Sequence, residues 1–122
     1  MKTKALWIAA LLVLGASWGS AQATTLRVIM IETADLPAYQ AKVAKVNEAM
    51  HRLGGKTTLR FWRARFAGPE AGSIVVTLEY PDIVNFAETD AKSAGDAEVQ
   101  QLLRELAGMR KIVSDSLYEE VK

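Results

Sequence analysis

The chain has 122 residues, 50% hydrophobic and 24% charged, with a formal net charge of +1 and no cysteine. The missing cysteines exclude a disulfide framework and a thiolate metal site. The near-neutral balance excludes the basic excess that drives binding to nucleic acid or anionic membrane.

Lys2 and Lys4 precede an apolar run from Ala5 to Leu14, and Ala21-Gln22-Ala23 has the small residues of a cleavage point. This layout predicts a secretory signal peptide over residues 1–23, cleaved after Ala23. The apolar run falls short of the roughly 20 residues a membrane span needs, so no stable membrane anchor is expected after cleavage. The predicted address is periplasmic or secreted. Removing 23 of 122 residues leaves 99, a length for one domain over residues 24–122. Losing Lys2 and Lys4 from 15 basic residues against 14 acidic ones leaves a mature charge of −1. A chain this short buries apolar area sparingly, so self-association would help it.

Leu26 to Glu32 reads as a first strand. Asp35 supplies a cap oxygen and Pro37 a first-turn proline. Tyr39, Val43, Val46, Met50 and Leu53 then recur at steps of four and three, which predicts an amphipathic helix ending at Gly54-Gly55. Thr57–Ala67 and Ser73–Tyr80 flank Gly68-Pro69-Glu70-Ala71-Gly72 and read as a hairpin with a five-residue loop. Pro81-Asp82 switches strand to helix. Ser93-Ala94-Gly95-Asp96 breaks that helix, and Asp96 caps a second segment bearing Val99, Leu102, Leu103 and Leu106. Ile112–Tyr118 reads as a fourth strand.

The order βαββαβ predicts an α+β, ferredoxin-like fold, one antiparallel sheet with helices on one face. A five-residue loop pairs Phe66 with Ile74, Trp62 with Leu78 and Arg60 with Tyr80, and places Trp62, Phe66 and Tyr80 under the helices. The other face then carries Phe61, Arg63, Arg65, Val75, Thr77 and Glu79, with Ile29 and Ile31 if the first strand follows suit. That much apolar surface on an open sheet predicts a second subunit over it.

Three stretches sharpen the reading: W-x-A-x-x-A-G-P at Trp62–Pro69, V-T-L-E-Y-P-D at Val76–Asp82, and D-A-E-V-Q-Q-L-L at Asp96–Leu103. With the element order, they resemble the dimeric α/β-barrel superfamily, which includes antibiotic-biosynthesis monooxygenase-like and NIPSNAP-like domains. The resemblance covers roughly residues 25–121. It implies a homodimer built by stacking two sheets. In some members it implies haem degradation or oxidation of polyketide-like substrates by an Asn, a Trp and a His. The first strand here contains no Asn.

Candidate ligand-binding residues fall into three sets. Trp62, Phe66 and Tyr80 form an apolar wall with a hydroxyl handle, or simply core. Arg63, Arg65 and Glu79 form an anion clamp, or an ion-pair network at a dimer interface. His51 is a general base or axial ligand, or a positive group complementing a helix end. No catalytic residue is identifiable, and no carboxylate cluster has metal-loop spacing, so neither metal nor cofactor is expected. The leading expectation is an exported, non-enzymatic homodimer that binds a small organic or anionic molecule. The alternatives are a cofactor-independent monooxygenase-like oxidoreductase using Trp62 and His51, and a structural or partner-binding dimer.

Overall fold

The structure, a computed structural model, describes residues 23–66 and 68–122. The predicted signal peptide lies almost wholly outside the described residues. The elements are β1 (Thr25–Glu32), α1 (Leu36–Arg52), β2 (Thr58–Arg63), β3 (Ile74–Tyr80), α2 (Ile83–Ala94), α3 (Ala97–Ala107) and β4 (Lys111–Glu119). The four strands pair antiparallel in the order β2-β3-β1-β4, which is the ferredoxin-like arrangement. Each helix starts on an aspartate read correctly from sequence. Asp35 accepts from Ala38 N at 3.1 Å, Asp82 from Asn85 N at 2.7 Å, and Asp96 from Val99 N at 2.9 Å. These bonds satisfy backbone donors that the first helical turn leaves unpaired. The predicted break before Asp96 separates α2 from α3.

One sheet face lies against the helices. Tyr39, Val43, Val46 and Met50 of α1 meet Ile29 and Ile31 of β1 and Ile74, Val76, Leu78 and Tyr80 of β3. From α3, Val99 and Leu106 are buried, while Leu102 and Leu103 are partly so. The inward face of α2 is more polar: Phe86 meets the Tyr80 ring edge-on at 5.1 Å, and Thr89 and Ser93 are the residues it buries.

The hairpin departs from the sequence reading. Trp62 pairs with Val75, Phe61 with Val76 and Leu59 with Leu78. Ladder bonds end at Ala64 and Ser73, where Ala64 N donates to Ser73 O at 2.9 Å. The chain between them turns on Gly68 and Gly72, both with positive φ (58° and 92°), around a short 3₁₀ turn at Gly68–Glu70. The loop is therefore three residues longer than the five expected. An odd shift exchanges the two faces of a strand. Leu59 and Phe61 face the helices, where Phe61 meets Tyr39 edge-on at 6.4 Å. Trp62 goes to the open face, half exposed, and its indole N–H donates to Thr77 Oγ1 at 2.8 Å. Phe66 is in the loop and fully exposed. Ile29 and Ile31, expected on the open face, are in the core.

The centre of the open face is apolar all the same, with Arg60, Glu79, Ser114 and Ser116 around it. Leu26, Val28 and Met30 of β1 line up with Thr77 and Val75 of β3, flanked by Trp62 on one side and Tyr118 on the other. Trp62 is 50% and Tyr118 57% exposed. No described helix is long and apolar enough to cross a membrane.

Candidate functional site

Between the helices and the sheet lies a cavity of about 310 Å³. That is the lower end of the range for small-molecule sites. Val76, Leu78 and Ile29 form its floor. Tyr39, Val43, Val46 and Met50 of α1 and Val99, Leu103 and Leu106 of α3 form its roof. Against these apolar walls stand a few polar groups: Arg27, Asn47, Tyr80, Asp90, Ser93 and Arg110.

Arg27 stands on the core-facing side of β1, where its neighbours Ile29 and Ile31 are buried. Its guanidinium is held in a two-point clamp by Asp115 of β4, Nε to Oδ1 at 3.0 Å and Nη2 to Oδ2 at 2.7 Å. The pair is about one-third exposed, at 34% and 35%. Hydrogen bonding from Arg27 holds the Asp115 carboxyl below the usual aspartate value, with Arg110 a lesser contributor. The same bond raises Arg27 above its own usual value. Burial pushes the Tyr80 hydroxyl up, partly opposed by Arg27. Tyr80 is therefore a neutral phenol at physiological pH, able to donate a hydrogen bond.

The Asp115 shift has a pH consequence. A carboxyl with a lowered folded pKa contributes stability above its unfolded pKa, and that contribution disappears as pH falls through the folded value. Asp115→Asn should therefore destabilise the protein at pH 7 by roughly 1 kcal/mol or less, since an exposed pair is screened. The deficit should shrink below the ordinary aspartate value of 3.8. Urea unfolding at pH 7 and pH 3 measures both, and an undiminished deficit at pH 3 would remove the ion pair as its cause.

Two further groups in the cavity wall are buried without a hydrogen-bond partner among the described residues: Ser93 Oγ and Arg110 Nε. Unpaired buried polar atoms are uncommon and costly, of the order of 1–3 kcal/mol each. Asn47 accepts a bond from Thr57 Oγ1 on its side-chain oxygen, which leaves its amide nitrogen available to a ligand.

Of the residues singled out from sequence, only Tyr80 lines this cavity. Trp62 is across the sheet and Phe66 is in the hairpin loop. His51 is exposed in the last turn of α1, with Nε2 bonded to Thr57 O at 2.8 Å. Arg63 sits opposite Ile74, beside a polar groove at the hairpin end, and Arg65 is in the exposed loop. Glu79 is on the open face five residues from Ile74, about 17 Å along the strand at 3.4 Å per residue. Arg63, Arg65 and Glu79 therefore do not converge, and neither do Trp62 and His51. The sequence reading missed Arg27, Ser93 and Arg110. The readable signal was Arg27, a lone charge alternating with Ile29 and Ile31 on an otherwise apolar strand face. Among the described residues no His, Asp and Glu cluster has the geometry of a metal site.

Compared by sequence, the chain matches no family model and no curated protein. Solved structures do match it. SnoaB, a cofactor-independent oxygenase from Streptomyces nogalater, is 15% identical with a TM-score of 0.61, over 82% of this chain and 95% of that one. A NIPSNAP family protein from Agrobacterium tumefaciens is 16% identical with a TM-score of 0.58, over 82% and 84%. A second from the same organism, of unknown function, is 13% identical with a TM-score of 0.60, over 84% and 91%. The chain thus has the ferredoxin-like fold shared by the oxygenase-like and NIPSNAP proteins that its motifs resemble.

Proposed function

We propose that this protein is an exported homodimer that binds a small organic molecule in the cavity between its helices and its sheet. The observation that carries this reading is the cavity itself, an apolar space of about 310 Å³ with two unpartnered buried polar atoms in its wall. A ligand that met those atoms would remove a cost the empty site bears. The wall holds Ser93, whose Oγ is hydrogen-bonded to no base among the described residues, and a neutral phenol at Tyr80, which suits binding better than nucleophilic chemistry. The alternative, a cofactor-independent monooxygenase-like oxidoreductase, rests on Trp62 and His51. In this chain they occupy different faces of the fold.

Thermal shift checks the binding reading directly. Among aromatic acids, quinones and haem, a ligand at about one hundred times its Kd should add about 2.7 kcal/mol of stability. In a domain this small that corresponds to roughly 10 °C or more in Tm. Leu103→Trp, which fills the cavity from the roof, should abolish the shift. A screen in which no compound stabilises the protein would leave the reading without support.

Homodimerisation is supported by the apolar open face, where Leu26, Val28, Met30 and Val75 are only partly covered and Trp62 and Tyr118 are exposed. Export is supported by the sequence of residues 1–23. N-terminal sequencing of protein recovered from the periplasm or medium should begin at Thr24; material beginning at Met1 would overturn it.

A further inference from the structure

We propose that the cavity is selective for an elongate monocarboxylic acid, its carboxylate held by Arg110 and a hydroxyl or carbonyl at its far end met by Ser93. This rests on the reading of the cavity as a ligand site and specifies its ligand.

The two arginines in the wall are not equivalent. Arg27 has its charge answered by Asp115 through the Nε–Nη2 edge of its guanidinium. Arg110 donates from Nη1 to the Tyr39 hydroxyl at 3.1 Å, and its guanidinium carbon lies 6.0 Å from the centre of the Tyr39 ring. Among the described residues no carboxylate comes within ion-pair distance of it. Asp115 feels its charge but is already bound by Arg27. Asp90, the other carboxylate in the wall, acts on Arg27 and Tyr80, so the one carboxylate that feels Arg110 is already taken. The Nε of Arg110 is buried and unpartnered, on the same edge that Arg27 turns to a carboxylate. A ligand carboxylate there could form the paired, charge-assisted bonds that guanidinium geometry favours. It would also neutralise a charge that is costly to leave unpaired in a low-dielectric site.

Ser93 marks the other end. Helices α1 and α3 run antiparallel, tied by ion pairs between Lys42 and Glu105 and between Arg52 and Glu98. Arg110 follows the end of α3 and bonds Tyr39 in the first turn of α1. Ser93 precedes the start of α3, beside the end of α1 where Met50 lies. Tyr39 and Met50 both line the cavity and are eleven positions apart, about 16 Å at 1.5 Å per residue. The stretch between the two polar ends is walled by Val76, Leu78, Val99 and Leu106. Allowing a hydrogen bond at each end, that span fits a ligand backbone of roughly eight carbons. The ligand has an acid at one end, an apolar body, and one polar group at the other end.

The test compares 8-hydroxyoctanoate, octanoate and 1,8-octanediol by calorimetry on the wild-type protein at neutral pH. A charge-assisted pair predicts that 8-hydroxyoctanoate binds about ten-fold or more tightly than the diol. In Arg110→Gln that ratio should fall close to one, and a circular dichroism spectrum matching the wild type shows that the variant is folded. In Ser93→Ala, 8-hydroxyoctanoate should lose its advantage over octanoate and the acid-to-diol preference should persist. Equal binding of acid and diol by the wild type would overturn the selectivity and leave the cavity standing as an apolar ligand site. So would a preference that survives Arg110→Gln. Failure of all three probes to bind would overturn the proposal, and the broader screen described above would then decide the cavity reading separately.

Discussion

Phe61→Ala is expected to lower the unfolding free energy by about 3 kcal/mol, within the usual range for truncating a core phenylalanine. Trp62→Ala, one position along the same strand, should cost less than about 1 kcal/mol in the isolated fold, as surface substitutions do. The contrast follows from register. Phe61 is opposite Val76 beneath the helices and contacts the Tyr39 ring, whereas Trp62 is opposite Val75 on the open face, half exposed. The bond Trp62 makes to the Thr77 side chain is on the surface. Chemical denaturation at low protein concentration, where self-association contributes little, separates the two effects. The reverse ordering would restore the hairpin pairing with a five-residue loop. A loss of 3 kcal/mol is large for a domain whose whole stability is about 5–15 kcal/mol, so the Phe61 variant should be visibly less soluble.

The second large effect concerns assembly. Val28→Asp combined with Val75→Asp should turn a dimer into a monomer, weakening association at least about a hundred-fold, or roughly 3 kcal/mol. Val28 faces Thr77 and Val75 faces Met30 at the centre of the open face, so the two carboxylates would be desolvated side by side in any sheet-to-sheet contact. Neither side chain touches the core beneath the helices, and far-ultraviolet circular dichroism should be unchanged. Val84→Asp, at an exposed position on α2, is the matched control and should leave the mass alone. Light scattering reads all three. A wild-type sample that is monomeric at micromolar concentration would dispose of the dimer.

Much of the fold was legible because local chemistry determines it. The three aspartate caps, the four-three spacing of Tyr39 to Met50, and the break ahead of Asp96 each act within one turn of chain. They survived intact. The hairpin pairing did not, because register depends on loop conformation. Gly68 and Gly72 both adopt positive φ, and together they support a longer loop than the five residues that turn composition suggested. Leu59 and Phe61 carried the corrective signal: two apolar residues in alternation, against Arg60, Trp62 and Ala64 on the other phase. The site was less legible. Arg27, Asp115, Arg110 and Ser93 are far apart in sequence and meet only through the strand pairings and the two-helix roof. Ser93 lies in a segment whose composition marks a helix break. Its burial comes from α2 turning a polar side inward, which apolar periodicity cannot reveal.

Strand β1 occupies the middle of the sheet, with β3 on one side and β4 on the other. Its pairing with β3 is unbroken from Thr25 to Ile31. The irregularity opposite Met30 and Ile31 is confined to the pairing with β4. Odd-numbered positions Arg27, Ile29 and Ile31 therefore belong to the cavity and core, and even-numbered positions Leu26, Val28 and Met30 to the open face. Single substitutions along seven residues thus act on one face at a time, the cavity side or the open sheet surface. A deletion of one residue in the same stretch changes both at once. Related chains should accordingly drift at these positions in two independent alternating sets, and should vary in length at the hairpin loop rather than in β1.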